Sequence, residues 1–180
     1  MKDKKINIIG GYLKGRKLEV KSRDGLRPTS SRTRETLFNW LQTVILNKNC
    51  LDLFAGTGAL GFECISRGAK RCVFVENNNS ISNQIKKKDQ FSCVNAEVKN
   101  SDAINFLMNN DELFDIVFLD PPFGTTLLTR TLKIMTNSTL KKNAIVYVEA
   151  EQGTKVSDDW LILKKSNSKN VKFMLLGKKT

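Results

Sequence analysis

The sequence predicts an α/β protein built on a mostly parallel sheet, and three observations predict it. From about residue 50 onward, short apolar runs alternate with helix-patterned stretches, the order that wraps helices around parallel strands. A glycine turn, Gly56-x-Gly58-x-x-Gly61, follows the first run and opens a helix. Two further apolar runs close the chain with only a short polar link, too short for a parallel crossover, so they are expected to form an antiparallel hairpin at or near the sheet edge.

The elements follow in chain order. "KINII", Gly10-Gly11 and "RKLEV" predict a small hairpin turning at the glycines. "GLRPTSS" is a loop closed by Pro28. A helix follows, with Leu37, Phe38, Leu41, Val44 and Ile45 on one stripe and Ser30 or Ser31 as its N-cap. "CLDLF", "RCVFVE", "AEVKN", "FDIVFLD", "AIVYVEA", "WLILKKS" and "VKFMLLG" are the seven predicted strands of the body. "ALGFECISRG", "SISNQIKKKDQF", "DAINFLMNN" and "LLTRTLKIMT" are the helices between them. A length of 180 residues suits one globular unit, expected over 31–180, with residues 1–30 as a basic hairpin extension.

Composition narrows the chemistry. The four cysteines form no Cys-x-x-Cys pair and histidine is absent, so a metal site and imidazole catalysis are both unexpected. The thiols are expected to be free and buried. No apolar run could span a bilayer and the N-terminus lacks a secretory core, so a cytoplasmic chain without membrane association is expected. Nothing signals oligomerisation, and a monomer is expected.

The net charge of +12 is unevenly placed. Residues 1–34 hold 11 Lys and Arg against 3 Asp and Glu, whereas residues 35–154 hold 12 against 13. Five of the eight arginines fall in the first 34 residues. A neutral body with a basic arm points to a polyanionic partner, a nucleic acid.

The glycine turn alone fits a dinucleotide or S-adenosylmethionine equally. Glu76, at the end of the second strand of the body, suits ribose hydroxyls in both cases. Two acids separate them. Asp52, just before the glycines, would repel a pyrophosphate but suits an ammonium. Asp102, after Ser101 and the third strand, can reach an adenine amino group. Three acids at three successive strand ends describe an amine, a ribose and an adenine without phosphate. Two of them also have a plainer role available, Asp102 as a helix cap and Asp52 as a buried acceptor.

"DIVFLDPPFG" holds two of the chain's three prolines. They must stop the strand before them, because proline donates no ladder hydrogen bond. The stop places Asp120 at the carboxyl edge of the sheet, where ligands bind in such folds. An exocyclic base amine is a poor nucleophile because its lone pair is delocalised. Two acceptors gripping its hydrogens localise that pair. The Asp120 carboxylate and a carbonyl of Pro121-Pro122 can be those acceptors, and Phe123 can stack on the base.

"DPPF" matches the signature of amino-group nucleic-acid methyltransferases. Together with "IIGGYLKGRKLEV", "LRPTSSRTRETLFNWL", "CLDLFAGTGALGFE" and "VYVEAE", it makes the chain resemble the bacterial 16S ribosomal RNA guanine-N2 methyltransferases. The resemblance implies a Rossmann-like, seven-stranded class I S-adenosylmethionine-dependent methyltransferase domain with a small N-terminal β-hairpin that contacts the ribosomal subunit. It implies cofactor contacts at Asp52, Phe54, Ala55, Gly56, Thr57, Gly58, Glu76, Ser101 and Asp102, and base handling at Asp120, Pro121, Pro122 and Phe123. It implies RNA contacts from Lys14, Arg16, Arg27, Arg32 and Arg34, with 16S RNA in the small subunit or an assembly intermediate as partner. Two positions depart from the family pattern: Ser31 replaces a usual acid before Arg32, and Asn78 replaces a frequent charged residue.

The rivals are a DNA adenine-N6 methyltransferase and a catalytically silent ribosome-assembly factor. The length of the chain speaks against the first, since the fold uses up residues 35–180. The intact glycine turn and Asp-Pro-Pro-Phe speak against the second. A nicotinamide oxidoreductase is disfavoured by Asp52 and by the lack of an evident proton donor.

Overall fold

The computed structural model of the chain describes residues 4–20, 29–87, 95–168 and 171–179. Strands β1 (Lys4–Asn7) and β2 (Lys17–Val20) pair antiparallel, with Ile6 opposite Leu18. Helix α1 (Ser31–Leu41) follows, then β3 (Asn49–Asp52), α2 (Ala59–Ser66), β4 (Arg71–Glu76), α3 (Asn79–Lys87) and β5 (Ala96–Asn100). After these come α4 (Ala103–Met108), β6 (Phe114–Leu119), α5 (Leu127–Ser138), β7 (Leu140–Glu151), β8 (Trp160–Ser168) and β9 (Val171–Lys178).

The seven strands after the hairpin form one sheet in the order β5-β4-β3-β6-β7-β9-β8. Strands β3 to β7 are mutually parallel, while β9 runs antiparallel to both β7 and β8. The terminal pair is thus the expected edge hairpin, with β9 inserted between β7 and β8. From β3 the chain builds outward through β4 to β5, then returns to β6 on the other side of β3. That reversal opens a crevice at the carboxyl ends of β3 and β6, the place where open α/β sheets hold ligands.

Alternation along the strands feeds two cores. Cys72 and Phe74, Ile116 and Phe118, Tyr147, and Phe173 and Leu175 face α1 and α2. Val73 and Val75, Val117 and Leu119, Val146 and Val148, and Met174 and Leu176 face α4 and α5. Successive strand side chains point to opposite faces, so apolar residues at both phases mark strands buried on both sides. Cys50, Cys64 and Cys72 are buried free thiols as expected, and Cys93 lies outside the described residues.

Three local expectations need correction. Gly10-Gly11 is not a two-residue hairpin turn. The loop between β1 and β2 is wider and docks on the end of α2: Tyr12 N–H donates to the Ser66 carbonyl and Leu13 N–H to Ser66 Oγ, each at 2.9 Å. Gly11 sits at φ 73°, and a Cβ there would lie 1.7 Å from the Ser66 carbonyl oxygen, so the glycine serves close approach to α2. Helix α1 ends at Leu41; Val44 and Ile45 continue its apolar stripe from a turn, through hydrogen bonds to the Leu41 carbonyl. Strand β7 begins at Leu140, before the alternating run. Asn143, at φ 64°, takes up extra residues where the β6–β7 register shifts, a bulge that strict alternation hides.

The N-terminal hairpin is packed into the body. Ile6, Ile8, Leu13 and Leu18 are buried in the same core as Phe38 and Phe62. Burying these four large aliphatic side chains contributes about 1.5–3 kcal/mol each before ordering costs, which fixes the arm against the sheet domain.

Candidate active site

The glycine turn is built by short backbone bonds. Gly58 N–H donates to the Ala55 carbonyl at 2.7 Å, and Ala55 N–H to the Val75 carbonyl at 2.9 Å. Gly56 and Gly58 hold φ of 48° and 76°, a left-handed backbone that other residues adopt at a cost. Gly61 answers a different need: a Cβ there would lie 2.1 Å from the Phe74 ring, so it lets α2 lie on β4.

Asp52 is the last residue of β3 and is 2% exposed. Its Oδ2 accepts from Gly61 N–H at 3.0 Å, in the first turn of α2. Burial pushes this carboxyl up to about 7; Asp120 and Glu76 push the same way, and the Gly61 hydrogen bond opposes them. The expected fixed charge is therefore a carboxyl poised near neutrality, ready to ionise against a cation. Glu76, ending β4, accepts from Gly56 N–H at 2.9 Å and from Asn78 N–H at 2.8 Å. Each oxygen keeps lone-pair capacity for a further donor. Asn78 Oδ1 in turn accepts from Ile81 N–H at 3.1 Å and caps α3, a role an amide fills without charge. Asp102 caps α4 through Asn105 N–H at 2.9 Å, so the plainer role holds, while its residue also lines the cavity.

Asp120 follows β6 directly. Thr29 Oγ1 donates to its Oδ2 at 3.1 Å, tying the segment before α1 to the carboxyl edge of the sheet. Glu149, on β7, is 6% exposed and lies beside Asp120, since the β6–β7 register pairs Leu119 with Val148. Burial first, then Asp120, push the Glu149 carboxyl up to about 8. Thr125 Oγ1 donates to the Pro122 carbonyl at 2.8 Å, which leaves the Pro121 carbonyl as the less engaged acceptor of the turn. Phe123 is 38% exposed, its ring available for stacking.

One cavity of about 880 Å³ unites these groups. Asp52, Phe54, Ala55, Gly56, Thr57, Glu76, Ser101, Asp102 and Asp120–Phe123 line it, as do Thr29 and Glu149. Gly58 shapes the turn from behind. Five carboxylates line the cavity, and among the described residues no lysine or arginine does. In a chain of net charge +12 that is a strong local inversion. It suits a cationic ligand and opposes a pyrophosphate.

The expected RNA contacts divide. Lys14, Arg16 and Arg32 are exposed on the hairpin loop and α1, and Arg27 lies outside the described residues. Arg34 must be withdrawn. It is 1% exposed, its guanidinium donates to the Asn7 carbonyl at 3.0 Å, and it pairs with the fully buried Glu63 at 3.4 Å. Burial lowers its pKa while Glu63 opposes that shift. Glu63 also accepts from Ile9 N–H and pairs with Arg67 at 2.8 Å. Arg34 therefore fastens the hairpin to α1 and α2, and a polyanion cannot reach it.

Sequence reasoning missed Thr29 and Glu149. A signal existed for the second: an acid inside the apolar run "VYVEA", in phase with the buried Tyr147. Thr29 had none, because its partners lie on distant strands.

Residues 6–176 match the family described as conserved hypothetical protein 95. Ribosomal RNA small subunit methyltransferase D of Haemophilus influenzae is 43% identical over 178 residues, covering 94% of this chain and 92% of the relative. Its Escherichia coli K12 counterpart is 47% identical over 148 residues, covering 81% and 75%. The chain belongs to this methyltransferase family. The solved structure of Escherichia coli yhhF, described as a methyltransferase, superposes with a TM-score of 0.90 at 41% identity, covering 98% of this chain and 99% of that one. The fold is that of S-adenosylmethionine-dependent methyltransferases. The acid-lined cavity, with no lysine or arginine among its described lining residues, suits the cationic end of S-adenosylmethionine. Among the described helices none is long and apolar enough to cross a membrane.

Proposed function

We propose that the chain methylates the exocyclic N2 of a guanine in 16S ribosomal RNA, within the small subunit or an assembly intermediate. The observation that carries the reading is the Asp120–Phe123 turn opening into the same cavity as the glycine turn. When bound, S-adenosylmethionine supplies an electrophilic methyl whose bonding pair leaves with sulfur. Asp52 holds the ammonium end and Glu76 the ribose. The Asp102 carboxylate and Ser101 border the adenine end. Asp120 and the Pro121 carbonyl accept the two amine hydrogens, and Phe123 stacks on the guanine. Acceleration comes from holding amine and methyl in line. Lys14, Arg16 and Arg32 bind phosphates without reading bases.

The test is methyl transfer from labelled S-adenosylmethionine to unmethylated small subunits, protein-free 16S RNA and duplex DNA, with products identified as nucleosides by mass. N2-methylguanosine from either RNA substrate is expected. N6-methyladenine from DNA would keep the amine chemistry and overturn the RNA substrate.

A further inference from the structure

Glu149 stands out among the buried ionisable groups because the cofactor and base contacts leave it unused. It is 6% exposed, it lines the cavity, and the β6–β7 register, which pairs Leu119 with Val148, sets it beside Asp120 at the carboxyl ends of the two strands. Two carboxyls side by side at one cavity wall cannot both ionise cheaply, so a shared proton is the low-energy state. The surroundings are fixed on every side. Tyr147 is the titratable neighbour on β7 itself, and its hydroxyl is buried without a hydrogen bond of good geometry among the described residues. Asp120 faces Glu149 from the end of β6 and Thr29 from the segment before α1, while Phe173 of β9 is its strand partner. Beyond Asp120, the Asp52 and Glu76 carboxyls line the same cavity from β3 and β4.

We infer that Glu149 is a positioning residue for Asp120: it keeps one proton between the two carboxyls, so that Asp120 meets the target amine as a single, held carboxylate. The inference rests on Asp120 handling the target amine as proposed above. The proton-bearing Glu149 oxygen donates to Asp120, and Thr29 donates to Asp120 Oδ2. Asp120 is then held at the carboxyl edge of the sheet, facing the cavity where the amine is placed. The proton balance needs no further reagent. The amine lone pair forms the new N–C bond. One N–H bond then breaks, its electrons stay on nitrogen, and the proton passes to Asp120. The pair goes from one shared proton and one negative charge to two protons and none, and half-buried Asp120 returns its proton to water. Burial and Asp120 hold the Glu149 carboxyl near 8, which keeps the shared proton in place at neutral pH.

The test is single-turnover methylation of small subunits or 16S RNA at saturating cofactor, from pH 6.5 to 9.5. The enzymes are wild type, Glu149→Gln, Glu149→Ala and Asp120→Ala, each first shown to bind S-adenosylhomocysteine. Wild type is expected to lose rate above about pH 8, as the pair loses its proton and the two carboxylates repel. Glu149→Ala is expected to slow the reaction about 10²-fold, the scale of a misplaced reacting group. Glu149→Gln keeps a donor toward Asp120 and cannot ionise. It is expected to exceed Glu149→Ala by about tenfold, as partial rescue of that misplacement, and to lack the alkaline fall. A Glu149→Gln enzyme that keeps the wild-type alkaline fall, or a Glu149→Ala enzyme as fast as wild type, overturns the inference while an inactive Asp120→Ala leaves the underlying reading standing. A fully active Asp120→Ala overturns that reading and the inference with it.

Discussion

Cofactor affinity should depend on pH through Asp52. The carboxyl is held at about 7 in the protein alone, chiefly by burial, with Asp120 and Glu76 adding to the shift. Only its anion pairs with an ammonium. For a group of that pKa the ionised fraction drops from about three-quarters at pH 7.5 to about one-tenth at pH 6. Affinity should therefore weaken about eightfold over that interval, the direction being tighter binding as pH rises. The chain has no histidine, so imidazole titration does not obscure the window. Asp52→Asn preserves an acceptor for Gly61 N–H and removes the charge. It should weaken binding at pH 7.5 by about 10- to 100-fold, the scale of a lost hydrogen bond to a charged group, and flatten the pH dependence. Calorimetric titration with S-adenosylhomocysteine measures both, since that ligand keeps the amine and cannot react. A pH-independent wild-type affinity, or an Asp52→Asn variant binding as tightly as wild type at pH 7.5, would refute the assignment of Asp52 to the ammonium.

Removing the Arg34 guanidinium leaves Glu63 buried with only Arg67 as its ionic partner, so Arg34→Ala should cost about 3–5 kcal/mol in denaturant unfolding; an unchanged midpoint would mean the pair is dispensable. Gly61→Ala drives a methyl into the Phe74 ring, 2.1 Å away, and should cost about 1–3 kcal/mol by thermal melting. Equal melting of the two proteins would show that the ring moves aside freely. Phe123→Ala should reduce kcat/KM for RNA by the equivalent of about 1–3 kcal/mol of stacking while cofactor affinity stays level, and a parallel loss of cofactor affinity would place the ring elsewhere. Replacing Lys14, Arg16 and Arg32 by Gln should flatten the salt dependence of RNA binding, by a slope of about 0.7–0.9 for each phosphate no longer neutralised; an unaltered slope would move the RNA path off the hairpin.

The sequence by itself determined the element order, the edge hairpin, the glycine turn and the acids at the carboxyl ends of β3, β4, β5 and β6. These are local signals: alternation, glycine spacing, and a proline pair that ends a strand beside an acid. Each needs only neighbours within a few residues to be legible. Ser31, where the family pattern has an acid, leaves the helix cap intact for a local reason, since Ser30 supplies it through Thr33 N–H at 3.1 Å.

Tertiary structure decided what each charge is for. Arg34 and Arg32 sit two residues apart on one helix and read alike in the sequence, yet one turns inward to Glu63 and the other lies exposed. Gly10-Gly11 reads as a tight turn until α2 comes within contact of it. Glu149 reads as one acid in an apolar strand until β6 sets Asp120 beside it and the segment before α1 brings Thr29. The physical reason is common to all three. The protonation, pairing and burial of a polar group depend on partners remote in sequence, Thr29 and Asp120 being 91 positions apart, and only the packed sheet brings them within hydrogen-bonding distance.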